Sequence, residues 1–443
     1  MEKKQKKSLI RHSRAVFILK IALPSVAFLV VALLLVWPQI FAPKDRFSIF
    51  SKEMIPSLKE TQGSMTKARL FSLDKKKQPI IVTADKVIQD EKNENNIRLI
   101  QPKADFVFSS DGWAHLSSPK GVVDQDKKIM LFEREVNGTT DNGYRLQAQN
   151  VVVDESKKTI ESDESVRVSG HFGQIDGDGF SVKNDGAEIY FKKKTFVQLT
   201  SFQPVIYISS ENGLTINQSK RQLTFKKNTK AVQNEQTLES QLLKIFYREK
   251  QGADSPEKEI YYLLAQRDVV FSTSQGQAFG NSAEYFFDKK LVSLKGTPAR
   301  AETKQEKLEA LTIEYYEDVP KIIAKQQVVF TQGDTTLKTN QMTAYLEPNQ
   351  KNEQEISWIE VHGDVTIITP NETVTAIEGT YDIKRGVALL KEKVHIIKAE
   401  GDVEGDFVRI DMNTGISSLQ VKKTPAGGKK QRVKGTFQPS MIE

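Results

Sequence analysis

The 443-residue chain contains no cysteine, which excludes disulfide bonds, thiolate metal sites and a cysteine nucleophile. Apolar stripes at helical spacing are missing as well: after Phe50, no window of about a dozen residues sustains one. Histidine is scarce, and its five residues are too scattered to predict a metal cluster: His12, His115, His171, His362 and His395.

Catalytic motifs are also lacking, because no G-x-S-x-G, H-E-x-x-H, P-loop or G-x-G-x-x-G pattern occurs in a suitable context. The run Asp176–Gly179 begins like a calcium loop, but Phe180 and Ala187 occupy positions that need oxygen ligands. Neighbouring carboxylates such as Glu133 and Glu135 alternate onto the solvent face of a strand. The sequence therefore predicts no enzyme, no cofactor and no metal site.

The net charge of +7 is concentrated at the two ends of the chain. Residues 1–20 carry +6 and residues 422–443 carry +5, so the part between them carries −4. A nucleic-acid-binding protein needs a basic face on its folded part. We therefore expect no nucleic acid among the partners.

One uncharged run, IALPSVAFLVVALLLVWPQIF at residues 21–41, predicts a transmembrane helix. As a helix it would be about 31 Å long, close to the thickness of the hydrocarbon core. The cationic flank predicts that residues 1–20 are cytoplasmic, and residues 42–66 form a spacer. The alternative is a cleaved signal peptide, which needs a shorter apolar core and a small residue where Ile40 stands.

The rest of the chain is predicted to be all-β, since apolar and polar residues alternate in many short segments. Polar turns such as Asp124–Lys128 and Asp154–Lys158 separate these segments. The predicted strands include Ile80–Ile88, Ala104–Phe108, Ile129–Val136, Val166–Ser169, Val328–Thr331, Val365–Thr369 and Val394–Lys398.

A degenerate repeat places a small residue inside a strand, followed by apolar residues and an acidic turn. Such residues are Ala84, Ala148, Gly280, Ala310, Thr339, Ala376 and Gly405. The last five are separated by 30, 29, 37 and 29 residues, which is typical of a stacked β architecture. A break at Ser209–Gly213 suggests two domains, 67–205 and 206–421, and the basic tail 422–443 is expected to be disordered.

These features together resemble the bacterial lipopolysaccharide-export bridge family. Residues 1–205 are similar to LptC in the anchor, the spacer and the run MTKARLFSLDKKKQPIIVTADKVIQD. Residues 206–421 are similar to LptA, the OstA-like domain, in LTFKKNTKAV, GNSAEYFFDKKLVSLKG and IEVHGDVTII, although this half is longer than one such module. The resemblance implies a fusion folded as a twisted, incompletely closed antiparallel β-jelly-roll stack of two units.

The resemblance also implies a transport function. An inner-membrane ABC transporter, LptB/LptF/LptG-like, would supply lipopolysaccharide. The chain would pass it along an apolar groove toward an outer-membrane LptD-like translocon or further LptA-like units. The groove candidates are Val82, Ala84, Phe106, Phe108, Met130, Phe132, Val168, Phe180, Phe225, Tyr285, Phe287, Tyr315, Phe330, Ile367 and Ile396.

A closed sandwich would show the same alternation of apolar and polar residues. A membrane-anchored structural β-repeat scaffold with a dry core is therefore the alternative. Mass spectrometry of the purified 43–443 fragment separates the two hypotheses, because only a transport protein should retain glycolipid.

The uncharged run and its cationic flank give a topology prediction. A reporter that is active only outside the cytoplasm should be active when fused after Glu443. A reporter that works only in the cytoplasm should be inactive at the same position. The reverse result would show that residues 21–41 do not export the rest of the chain.

Overall fold

The computed structural model describes residues 64–437, apart from 74–78, 91–94, 108–111, 185, 203, 250–257, 351–353, 400, 412–413, 415 and 421–433. The predicted transmembrane segment 21–41 lies outside this part. Within the described residues, no helix is long and apolar enough to cross a membrane.

The predicted all-β class is confirmed, because the described residues form 28 strands joined by antiparallel ladders. The strands of the first half are β1 (Ser64–Leu73), β2 (Pro79–Gln89), β3 (Asn96–Ile100), β4 (Lys103–Val107), β5 (Trp113–Ser117), β6 (Lys120–Asp124), β7 (Ile129–Thr140), β8 (Arg145–Asp154), β9 (Thr159–Gly170), β10 (Gly173–Lys183), β11 (Glu188–Phe191) and β12 (Thr195–Leu199).

The second half contains sixteen strands and one short 3₁₀ helix, Phe287–Lys289. Its strands are β13 (Ile206–Ser210), β14 (Leu214–Asn217), β15 (Gln222–Gln233), β16 (Gln236–Glu249), β17 (Lys258–Ser272), β18 (Gly276–Phe286), β19 (Leu291–Thr303), β20 (Glu306–Tyr316), β21 (Lys321–Gln332), β22 (Thr335–Pro348), β23 (Gln354–Ile368), β24 (Glu372–Asp382), β25 (Val387–Lys398), β26 (Gly401–Asp411), β27 (Ile416–Gln420) and β28 (Lys434–Phe437).

Each long strand pairs with the next, and most of the long pairings shift register near the middle. Each layer of the stack, or row, is either one long strand or two short strands end to end. β11 and β12 pair with the two halves of β10, and β27 and β28 pair with the two halves of β26. The gap between the short strands lies opposite the middle of the long strand. The fold is therefore a stack of long rows, most of which bend near their centre.

Two consecutive residues in the left-handed backbone region mark this bend in many odd-numbered strands. A β-bulge of this kind turns a strand, and each left-handed non-glycine residue costs about 1–2 kcal/mol. The pairs are Arg134 and Glu135, Lys227 and Asn228, Arg267 and Asp268, Gln326 and Gln327, and Glu392 and Lys393.

The small residues of the sequence repeat lie at the same bend, each opposite an aliphatic residue of the preceding or following strand. Gly280 pairs with Val269, and Gly405 pairs with Val394. A Cβ atom at Gly280 would lie 2.6 Å from Cδ1 of Leu294, which is closer than real Cβ contacts. The repeat therefore marks positions at the bend, such as Gly280, where a larger side chain does not fit.

Polar turns connect the rows, as predicted at Asp124–Lys128 and Asp154–Lys158. The Oδ1 atom of Asp124 accepts a hydrogen bond from the backbone N–H of Lys127 at 3.0 Å, and Asp154 accepts one from Lys157 at 2.9 Å. The hydrogen bond from Lys127 lowers the pKa of Asp124 below its ordinary value. These aspartates keep their charge while fixing the turns.

The bend places the two halves of each row around one apolar interior. In β10, Ile175 before the bend and Phe180 after it are both buried. Phe132 and Phe225 are fully buried, and burial of such a side chain contributes about 1.5–3 kcal/mol. The interior is continuous along the stack rather than confined to one centre.

The two halves of the chain are joined by continuous ladders rather than by a loose linker. β13 pairs with β12 on one side and with β15 on the other. β14 pairs with β11 and with β15. The strands next to the predicted break, β13 and β14, therefore each pair with a strand of the first half.

The basic tail, expected to be disordered, contributes one strand to this stack. Lys434–Phe437 forms β28 and pairs with Gly401–Glu404 of β26. Only four tail residues form this strand, so the composition of the whole cationic tail does not predict it. At the other end, β1 starts at Ser64, three residues before the predicted domain start.

A proline at position 208 tests the continuity of the ladders. Ile208 is 1% exposed and lies between Val197 of β12 and Ala231 of β15. Ile208→Ala should cost about 2–5 kcal/mol through the lost side chain. Ile208→Pro should cost about 3 kcal/mol more, because its N–H is also removed, and should split unfolding into two transitions.

Differential scanning calorimetry of the two variants measures both effects. The alanine variant is the control for the lost side chain, since it keeps the backbone N–H. A single transition for Ile208→Pro at the temperature of Ile208→Ala would contradict a ladder that couples the two halves.

Candidate functional site

An apolar cavity of about 800 Å³ lies at the junction of the two halves. Its volume is within the range of about 300–1,000 Å³ that is usual for ligand pockets. Its lining runs from Trp113 of β5 to Ile260 of β17 and therefore crosses the boundary between residues 205 and 206. Buried residues that line its centre include Ile175, Phe180, Val197, Ile208, Phe225 and Ile245.

Both halves of the bent strands contribute to this cavity. Ile160 and Val168 lie on either side of the bend in β9, and both line it. Phe191 packs on Gly177 of β10, where a Cβ atom would lie 2.7 Å from Cδ1 of the ring. A side chain at position 177 would therefore clash with this ring, which lines the cavity. The position of the ring depends on the glycine at 177.

One rim of the cavity is an aromatic cluster on the turns at the ends of β7 and β9. The ring centroid of Tyr144 lies 5.2 Å from that of His171 and 5.7 Å from that of Phe172. Gly170 makes this packing possible, since a Cβ atom there would lie 2.5 Å from Cδ1 of Tyr144. These rings cover apolar surface and present polar atoms to the solvent.

The opposite rim comes from the second half of the chain and includes Tyr247 and Lys258. Burial raises the pKa of the Tyr247 phenol. Burial also raises the pKa of Tyr144, and the nearby Tyr247 phenol raises it further. The two rims therefore come from different halves of the chain and line the same cavity.

Three of the predicted groove residues line this cavity: Val168, Phe180 and Phe225. Seven others are buried in the interior elsewhere: Val82, Ala84, Phe106, Met130, Phe132, Phe330 and Ile396. Ile367 packs against this core as a partly buried residue. Phe108 lies outside the described residues. Contact of any of these residues with lipid remains a prediction.

The remaining candidates, Tyr285, Phe287 and Tyr315, are partly buried residues near strand ends. The Tyr285 hydroxyl donates a hydrogen bond to Oε2 of Glu317 at 3.1 Å, and its ring lies 4.2 Å from that of Phe287. Burial raises the pKa of Tyr285 to about 12. These residues lie at the rim of the second half.

Sequence reasoning missed the rim residues of the cavity: Tyr144, His171, Phe172, Phe202, Tyr247 and Ile260. They lie in turns or near strand ends, where alternation gives no guide to direction. One signal could have found some of them. The turn Gly170–Gly173 contains His171 and Phe172. Two aromatic rings in a tight turn indicate that the turn covers apolar surface.

Two protein-family models match the chain, and together they cover most of it. A model described as "Lipopolysaccharide-assembly, LptC-related" matches residues 26–200. A model described as "LptA/(LptD N-terminal domain) LPS transport protein" matches twice in succession, at residues 207–321 and 317–416. The chain is a fusion of an LptC-related half and an LptA-like half. The junction cavity lies where these two halves meet.

Among solved structures, the chain is similar to LptH of Pseudomonas aeruginosa, described as the LptA homologous periplasmic component of the lipopolysaccharide transport device. The match has 17% identity and a TM-score of 0.27, and covers 30% of this chain and 95% of that one. Comparison with curated protein sequences gave no match. The family models therefore carry the assignment: LptC-related and LptA-like domains are non-enzymatic components of periplasmic lipopolysaccharide transport.

Proposed function

We propose that this fusion is a membrane-anchored conduit that carries lipopolysaccharide from an inner-membrane ABC transporter across the periplasm. The LptC-like unit, residues 67–205, receives the lipid from an LptB/LptF/LptG-like transporter. The LptA-like unit, residues 206–421, passes it toward an LptD-like translocon or further LptA-like units. The two units form one incompletely closed β-jelly-roll stack, and the chain performs no catalysis.

The observation that carries this proposal is the cavity at the junction. Its apolar lining comes from both halves, from Val168 and Phe180 on one side and from Leu223 and Phe225 on the other. An acyl chain in this cavity would contact both units at once. A lipid could therefore move from one unit to the other without exposing its chains to water, which would cost about 0.8 kcal/mol for each methylene group.

The ends of the stack support a role within a longer assembly. Among the described residues, β1 pairs only with β2, and β27 and β28 pair only with β26. The outer edges of these strands offer backbone N–H and C=O groups to a strand from another protein. We infer that the neighbours in the bridge bind at these edges.

The uncharged run at residues 21–41 supports the anchor. It would hold the LptC-like unit beside the transporter, while the spacer 42–66 sets its distance from the membrane. In this arrangement the energy for transport comes from the nucleotide hydrolysed by the partner.

A charge in the cavity tests the transport function. Val168 is a partly buried lining residue, so the side chain of Val168→Asp can reach water at some cost without unfolding the protein. We expect this variant to lose about tenfold or more of the lipopolysaccharide that copurifies with the full chain, because a carboxylate in an apolar site opposes acyl-chain binding. Quantitative mass spectrometry of the extracted lipid gives the measurement.

The matched control is Ser169→Asp, the next position on the same strand, which lies outside the cavity lining. It should retain lipid like the unmodified chain, and circular dichroism should show both variants folded. If folded Val168→Asp retains as much lipopolysaccharide as Ser169→Asp, the cavity is not the lipid site and the scaffold hypothesis is favoured.

A further inference from the structure

The opposite rim of the cavity contains Lys258. Among the described residues, no carboxylate forms an ion pair with this lysine. It is the first residue of β17, and its Cα partner in the ladder is Glu249. The carboxylate of Glu249 does not pair with it. Instead, Oε1 of Glu249 accepts a hydrogen bond from Nη2 of Arg221 at 3.0 Å.

The other charges beside Lys258 are also paired within the protein. Glu259 accepts a hydrogen bond from Nε of Arg248 at 2.6 Å. The two terminal nitrogens of the same guanidinium donate to Asp288 at 2.9 and 2.8 Å. No carboxylate of the described residues pairs with the ammonium of Lys258, which lines the cavity and can contact a molecule inside it.

The ammonium of Lys258 lies beside the ring of Tyr247 and is partly desolvated. Its Nζ atom lies 5.4 Å from the ring centroid of Tyr247, within the distance of a cation–π interaction. The residue is exposed at the surface, although nearby protein atoms displace some water from its charged end. This desolvation lowers the pKa of Lys258, the nearby Glu249 opposes the shift and Arg221 adds to it. A cation beside an aromatic ring at the mouth of an apolar cavity can bind an anionic group of a ligand.

Two phenols at the same mouth have free hydrogen-bonding capacity. Within the described part of the chain, the Tyr247 hydroxyl has no hydrogen-bond partner, and that of Tyr144 contacts only Nε2 of His171 at 3.5 Å. The mouth therefore offers an ammonium and two phenolic hydroxyl groups beside an apolar interior. A phosphate group has several acceptor oxygens and a charge of −1 to −2, so its chemistry matches an ammonium and phenolic hydroxyl donors.

We propose that Lys258 and Tyr247 form the headgroup end of the cavity and bind a phosphate group of an amphiphile whose acyl chains lie inside. This inference rests on the proposed function and adds the chemistry of recognition. The selected ligand is an anionic lipid, and the contact is made by the LptA-like half while the LptC-like half supplies Tyr144.

The test compares three probes on the full-length chain: lipid A with both phosphates, lipid A with both phosphates removed, and inorganic phosphate. Native mass spectrometry from detergent micelles measures lipid binding, and calorimetry measures phosphate binding. Lys258→Met should lower the affinity for phosphorylated lipid A about tenfold, the loss expected for one charge-assisted hydrogen bond. It should leave the affinity for dephosphorylated lipid A unchanged.

Two further variants test whether the positive charge at position 258 is responsible for the binding. Lys258→Arg keeps the charge and should keep most of the affinity for phosphorylated lipid A. Lys230→Met removes the same charge from a lysine that pairs with Glu239 at 2.9 Å and lies outside the cavity lining. It should bind both lipids like the unmodified chain.

Each outcome has one meaning for the proposal. An equal loss for both lipids in Lys258→Met, or no loss for either, overturns the headgroup assignment while the conduit stands. Weaker binding of inorganic phosphate without any change in lipid binding would indicate a site for free phosphate and also overturns it. If the unmodified chain binds neither lipid, the proposed function itself fails.

Discussion

The bend near the centre of most long rows is the constraint on which the rest of the structure depends. Without it, the strands would form one flat sheet with an exposed apolar face. With it, residues on both sides of the bend, such as Ile175 and Phe180 of β10, face one interior. Left-handed pairs such as Gln326 and Gln327 cost energy locally, and burial of the apolar face offsets that cost.

The same bend explains why the fold can be extended and fused. Because the bends lie at the same level as the gaps between short strands, a long strand can pair with two short ones. At the junction, the interrupted rows β11–β12 and β13–β14 pair with each other and with their long neighbours. The LptC-related and LptA-like halves therefore share one sheet, and the 800 Å³ cavity is enclosed by both.

Much of this fold could be predicted from the sequence, because strand alternation and the small residues at the bend are local signals. Gly280, Ala310 and Gly405 gave the repeat, and the structure shows that they face aliphatic residues where space is smallest. The left-handed pairs could not be predicted: Gln326-Gln327 and Glu392-Lys393 carry no turn signature, and they lie where the ladder with the next strand shifts register.

The site was predicted only in part for a similar reason. Alternation identifies inward positions such as Val168 and Phe225, but it does not distinguish a packed interior from a cavity. That difference depends on how distant rows meet, as the turn with Tyr144 and the strand with Tyr247 do in lining one cavity. Strand β28 could not be predicted, because the composition of the tail around it is typical of disorder.

The central claim is that one continuous apolar path crosses the junction, and photo-cross-linking tests it most directly. A benzophenone side chain would replace Val168 in the LptC-related half or Leu223 in the LptA-like half, both of which line the cavity. Ser169 and Thr224, their neighbours on the same strands outside the lining, serve as controls. The account predicts lipopolysaccharide adducts at 168 and 223 and none at 169 and 224. Adducts confined to one half, or equal adducts at all four positions, would contradict a shared interior path.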